Sequence, residues 1–125
     1  MYSATVIREF QYPHCHEALT GADIIGRAGV LGEGPFMTIY FCTAGDTILR
    51  ASFETYGCPS AIACGSWITR WVEGKHAHET RLLSPDDLTM VLGGLPLGKE
   101  HVPVLAIRAL NNAVDQILAR RSDAS

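Results

Sequence analysis

At Gly57-Cys58-Pro59 the rhythm of the chain changes, and this tripeptide limits what the sequence can fold into more than any other feature. Ahead of it, Phe36 to Thr43 and Thr47 to Thr55 are rich in aromatic and β-branched residues, which favour extended backbone. Ala44-Gly45-Asp46 supplies turn chemistry between them, so the two segments read as an antiparallel hairpin. Behind it, Pro59 suits the first position of a helix, where its missing N–H costs nothing. Ala61, Ile62, Trp67, Ile68, Trp71 and Val72 then continue at helical spacing until Gly74 stops the run. Because strands cluster and helices follow them, the expected fold class is α+β, with helices covering one face of a small three-stranded antiparallel sheet.

The rest of the chain fits that frame. A short helix is predicted over about Tyr2 to Phe10. The stretch from Gln11 to Pro35 is rich in Gly, Pro and His, shows neither period, and reads as a long loop. A connection of this length is uncommon unless it is functional or packed under something, so it is expected to lie against the sheet or to line a site. A third strand near Ile24 to Leu31 would let the hairpin stand as a sheet. Ser84-Pro85-Asp86-Asp87 combines a hydroxyl cap, a first-position proline and acids at the positive dipole end, and Gly93-Gly94 ends the helix they begin. A last helix is predicted from His101-Val102-Pro103 to about Arg121. With 125 residues, 47% of them hydrophobic, and no repeat or linker, the chain is expected to be a single domain spanning 1–125.

Charge and cysteine usage narrow the function classes. A formal net charge of -3 at pH 7 removes the uniform positive field that non-specific phosphate binding needs, so no nucleic-acid partner is expected. The first residues carry no long apolar run, so neither a membrane partner nor export is expected, and the expected location is cytoplasmic. In that reducing compartment the 4 cysteines stay free for metal, sulfur or redox chemistry.

Among them Cys58 is the most informative, because it ends a strand where the next helix presents unpaired N–H groups. The partial positive charge there stabilises a thiolate, which attacks sulfur and binds soft metals. His101 holds a similar place ahead of the last helix, and a neutral imidazole there is a ligand for a borderline metal. Cys64 follows Cys58 by six residues, off the spacing that shares a helix face, and is assigned to core packing, as is Cys42 to the sheet. The groups His14, Cys15, His16 and His76, His78 match no zinc-finger spacing and are read as solvated loop residues. No P-loop, dinucleotide fingerprint or serine elbow is present.

The segment Phe53-Glu54-Thr55-Tyr56-Gly57-Cys58-Pro59-Ser60-Ala61-Ile62-Ala63, the opening Met1 to Val6 with Phe10-Gln11-Tyr12-Pro13, and Leu95-Pro96-Leu97-Gly98-Lys99-Glu100-His101 together resemble the NifU/IscU family of iron–sulfur cluster assembly scaffolds. The resemblance extends over nearly the whole chain. It implies a three-stranded sheet packed by helices, sulfur received from a cysteine desulfurase, a [2Fe–2S] cluster assembled at three cysteines and an aspartate, and transfer to apo iron–sulfur client proteins. It also implies that Leu95, Pro96 and Lys99 belong to a loop read by an Hsp70-type chaperone, in which Leu97 and Gly98 are departures.

At the ligand positions the family's first cysteine falls on Glu33, its aspartate on Pro35 and its third cysteine on Val102. What remains is a constellation of Glu33, Cys58 and His101. Clusters are held mainly by thiolates, whereas one thiolate, one imidazole and one carboxylate suit mononuclear Zn²⁺ or Fe²⁺ at least as well. The expected function is a scaffold-like carrier of iron, zinc or a labile [2Fe–2S] cluster, with Cys58 as a persulfide acceptor. The alternatives are a family member acting as a protein-binding or regulatory module without cluster assembly, and a small zinc hydrolase using an open metal position.

Overall fold

The computed structural model describes residues 2–30 and 34–123. Its elements run α1 (Ala4–Gln11), β1 (Ile24–Gly29), β2 (Phe36–Ala44), β3 (Thr47–Tyr56), α2 (Pro59–Val72), α3 (Ala77–Thr80), α4 (Pro85–Val91) and α5 (His101–Asp123). The strands form one antiparallel sheet in the order β1-β2-β3, so the expected α+β architecture is the observed one. Leu31, at the end of the predicted third strand, lies outside the described residues.

The sheet register explains where the helices sit. Gly26 pairs with Ile39 and Ile39 with Phe53, forming one row across the three strands. A Cβ added to Gly26 would lie 2.5 Å from the Ala109 carbonyl oxygen of α5, and one added to Gly65 of α2 would lie 2.3 Å from the Phe53 ring. Two missing side chains therefore let α5 settle on β1 and α2 on β3. Alternation along β2 then places Met37, Ile39 and Phe41, all fully buried, on this covered face. Cys42, assigned to sheet packing from its neighbours, shares the opposite face with Tyr40, is half-buried, and its Sγ donates to the Gly21 carbonyl at 3.6 Å.

Edge strands expose backbone groups that invite pairing with another chain, and here both edges are covered. On β1, the Arg27 N–H donates to Asn112 Oδ1 at 3.0 Å and Gln116 Nε2 donates to the Ile25 carbonyl at 2.7 Å, both partners coming from α5. On β3, the Phe53 N–H donates to the Cys15 carbonyl at 3.1 Å and the Ala51 N–H to Glu73 Oε2 at 3.0 Å. The long connection between α1 and β1 thus lies against the sheet, as its length demands.

That contact corrects the reading of His14 as solvated, while His16 is exposed, as expected, with one ring face on the sheet. The His14 N–H donates to Ser66 Oγ at 2.8 Å, its Nε2 stands 3.1 Å from Glu73 Oε1, and the His16 ring stacks on Phe53 with centroids 4.6 Å apart. An edge strand with open N–H groups and an aromatic face draws the loop in. Cys15, His76 and His78 are exposed, as expected.

Helix ends follow local chemistry. Ser3 Oγ accepts from the Val6 N–H at 3.1 Å and donates to the Leu92 carbonyl, tying the start of α1 to the end of α4. Ser84 and Asp87 close a reciprocal capping box. The short α3 has no counterpart in the sequence reading, because four residues carry no readable period; the Ala77 N–H fixes it to the Asp46 carbonyl at 2.8 Å. Among the described residues no helix is long and apolar enough to cross a membrane.

Candidate functional site

Cys58 is the N-cap of α2, held in extended backbone (φ -86, ψ 174) as the chain turns out of β3. Pro59 at the first helical position removes one donor, and the N–H groups of Ser60 and of Ala61, which also donates to the Cys58 carbonyl at 3.0 Å, are the first N–H groups of the helix. The Cys58 sulfur closes no strict capping hydrogen bond, yet it lies in the field of those two N–H groups. Burial pushes the thiol up, but the Ala61 and Ser60 N–H groups, the Lys99 ammonium and the Ser60 hydroxyl together outweigh it and hold Cys58 below its ordinary value. The Ser60 hydroxyl is buried and has no hydrogen-bond partner among the described residues, which leaves its dipole free to turn toward the sulfur.

Lys99 arrives from the loop between α4 and α5. There Leu95 packs partly against the core, Leu97 is 95% exposed, and Gly98 adopts φ +88, the left-handed region that side chains avoid. The Lys99 N–H donates to the Pro96 carbonyl at 3.2 Å, so this loop is turned, and the turn carries the lysine to where its charge reaches Cys58. The sequence reading gave Lys99 a partner-binding role only. Its effect on the thiol had no sequence signal, since forty-one residues separate the two.

His101 is exposed at the first position of α5 and lines a shallow cavity of about 380 Å³ with Pro35, Val104, Leu105 and Arg108. The next residue, Val102, is 3% exposed and packs in the core. Glu33 lies outside the described residues. Cys64 is fully buried, and burial, with the nearby Cys58 charge adding to it, pushes its thiol up to about 12. It stays protonated at neutral pH and offers no second thiolate, in agreement with its assignment to the core.

Among the described residues no three His, Cys, Asp or Glu side chains stand together so as to hold a metal ion. Of the expected ligand set the described residues show a thiol at the head of α2 and an exposed imidazole at the head of α5, the latter in a cavity whose lining does not include Cys58. By donor type a thiolate and an imidazole suit Zn²⁺ or Fe²⁺, and a single thiolate does not make the thiolate cage of a cluster. A half-buried thiolate of lowered pKa is also competent for attack on sulfur.

A family profile described as the NifU-like N terminal domain matches residues 1–124. The iron-sulfur cluster assembly scaffold protein IscU 1 of Archaeoglobus fulgidus is 37% identical over 114 residues, covering 91% of this chain and 74% of that protein. The scaffold protein IscU of Escherichia coli K12 is 32% identical over 124 residues, 96% of each. A solved NifU-like protein (N-terminal) from Brucella abortus superposes with a TM-score of 0.72 at 17% identity, covering 94% of both chains, a likeness of fold.

Proposed function

The chain belongs to the NifU-like N-terminal domain family, and from that premise we propose that it serves as a scaffold-type carrier in iron–sulfur cluster assembly, working through Cys58. The observation that supports this most is the half-buried Cys58 thiol held below its ordinary value at the head of α2. In the proposed reaction the Cys58 thiolate attacks the outer sulfur of a persulfide carried by a cysteine desulfurase. A sulfur–sulfur bond forms at Cys58 Sγ, the donor's own sulfur–sulfur bond breaks, and the donor cysteine leaves as thiolate. Electrons balance without any outside oxidant or reductant.

The cargo is iron, zinc or a labile [2Fe–2S] cluster, held by Cys58 and His101 with Glu33 as the carboxylate. Mononuclear Zn²⁺ or Fe²⁺ suits this mixed set best. A [2Fe–2S] cluster calls for further thiolates, which the donor or the apo client protein supplies during transfer. Leu95, Pro96 and Lys99 form the contact for an Hsp70-type chaperone, and the cytoplasm, where thiols stay reduced, is the matching compartment.

Anaerobic reconstitution with iron, sulfide and a desulfurase tests this reading. Visible absorption and bound iron are expected in the wild type and absent in Cys58→Ala. A wild type that binds neither metal nor cluster would overturn it.

A further inference from the structure

Trp67 and Trp71, the chain's 2 tryptophans, sit one turn apart on α2 with ring centroids 5.7 Å apart and planes within 18°. Both are only partly buried. With Arg8 and Glu9 of α1 and Arg70 of α2 they line a cavity of about 240 Å³. Glu9, 1% exposed, has its Oε2 accepting from Ser66 Oγ at 3.1 Å and from Arg70 Nη1 at 3.0 Å. Arg70 engages Glu9 through Nη1 alone; its side chain is 51% exposed, and its Nη2 and Nε have no partner among the described residues. Arg8 is exposed and has no ion-pair partner among the described residues. Lys75 Nζ stands 5.0 Å over the Trp71 ring.

The buried Glu9–Arg70 pair is accounted for by joining α1 to α2. That role accounts neither for two half-exposed stacked tryptophans nor for an unpaired arginine beside them. Glu9, the one acid among the described residues lining this cavity, is already neutralised, so what an approaching group meets is an aromatic wall rimmed by Arg8, Arg70 and Lys75. Trp and Arg dominate the energetics of protein interfaces, and a guanidinium with free N–H groups matches a carboxylate's two oxygens. The cavity is smaller than the 300–1,000 Å³ of typical small-molecule sites, so it suits a side chain presented by a polypeptide.

We propose that this groove between α1 and α2 is a docking site for an acidic, aromatic-bearing segment of a partner protein, its carboxylates on Arg8 and Arg70 and its apolar side chain on the tryptophan pair. Trp67 follows Cys58 by nine residues, about 14 Å along a helix, and Trp71 lies a further turn away, so a partner seated here leaves Cys58 open. The proposal stands apart from the sulfur and metal reading.

Because the chain's tryptophans both lie in the groove, intrinsic fluorescence reports its occupancy. The probe is a synthetic acetylated hexapeptide, Glu-Leu-Glu-Phe-Glu-Glu, with a control in which every Glu is replaced by Gln. A saturable blue shift is expected with the acidic peptide, weakening as salt is added and absent with the Gln control. Arg8→Glu should weaken binding at least about tenfold, the loss of one charge-assisted contact, and Arg8→Lys far less. Circular dichroism checks that Arg8→Glu is folded; if it is not, Lys75→Glu carries the same test. Cys58→Ala should bind the peptide like the wild type. Absence of a saturable shift, equal binding of the Gln control, indifference to charge reversal, or a shift that tracks the protein's own concentration, which would seat a second copy in the groove, each overturns the proposal.

Discussion

Replacing Gly65 by alanine sets two effects of opposite sign against each other. Within α2 the change favours the helix by about 0.5–1 kcal/mol, because glycine loses more backbone freedom on folding. The new Cβ, however, would stand 2.3 Å from Phe53 Cδ2, 2.6 Å from Cε2 and 2.8 Å from Cγ. The ring cannot simply swing clear: Phe53 is fully buried, and His16 is stacked on it with planes 8° apart. Overpacking costs about 1–3 kcal/mol, and a clash of three atoms against a confined ring belongs at the upper end of that range. A net destabilisation of about 2–2.5 kcal/mol follows, equivalent to roughly 6–12 °C in Tm for a chain of this length. Urea unfolding followed by far-UV circular dichroism should show a lower midpoint with an unchanged slope. Adding Phe53→Leu should recover part of the loss, so the two substitutions together cost less than their separate sum. A Gly65→Ala protein more stable than the wild type would refute the seating of α2 on Phe53, and with it the geometry that carries Cys58.

Three further outcomes are expected. Lys99 stabilises the Cys58 anion, so Lys99→Glu should raise the thiol pKa and move the pH profile of Cys58 alkylation by iodoacetamide to higher pH, while Lys99→Arg leaves it in place; an unmoved profile in Lys99→Glu would contradict the assignment. Cys64, pushed up to about 12 by burial, should resist alkylation in the native protein at neutral pH and react only as urea unfolds it; rapid native labelling would place it elsewhere. Leucine at both Asn112 and Gln116 uncaps Arg27 and Ile25, so sedimentation should show stronger concentration-dependent association than in the wild type, and unchanged behaviour would mean that the edge is blocked by other means.

What was legible in the sequence was whatever depends on neighbours along the chain. The hairpin, the helix start at Pro59, the capping box at Ser84 and the placing of Cys58 at a strand-to-helix corner are all local patterns, and each element stands within a residue or two of its expected bounds. The turn at Gly98 had no sequence signal, because a single glycine does not announce whether its φ will be positive; the structure gives +88. The amide pair on α5 that seals β1 and the Glu9–Arg70 pair join residues more than sixty positions apart, and no period or spacing connects them. The same holds for Lys99 and Cys58, brought together by packing that only the folded sheet dictates. His14 was misjudged for a related reason: an exposed strand edge recruits polar loop residues wherever they fall in the sequence.

Whether sulfur reaches Cys58 decides the account most directly. The full chain is incubated anaerobically with a cysteine desulfurase and free cysteine, quenched with an alkylating reagent and digested, and each cysteine peptide is weighed by mass spectrometry. One added sulfur is expected on the Cys58 peptide and none on those of Cys15, Cys42 or Cys64. An unmodified Cys58 in an assay where an established acceptor is loaded would contradict the role assigned to this thiolate.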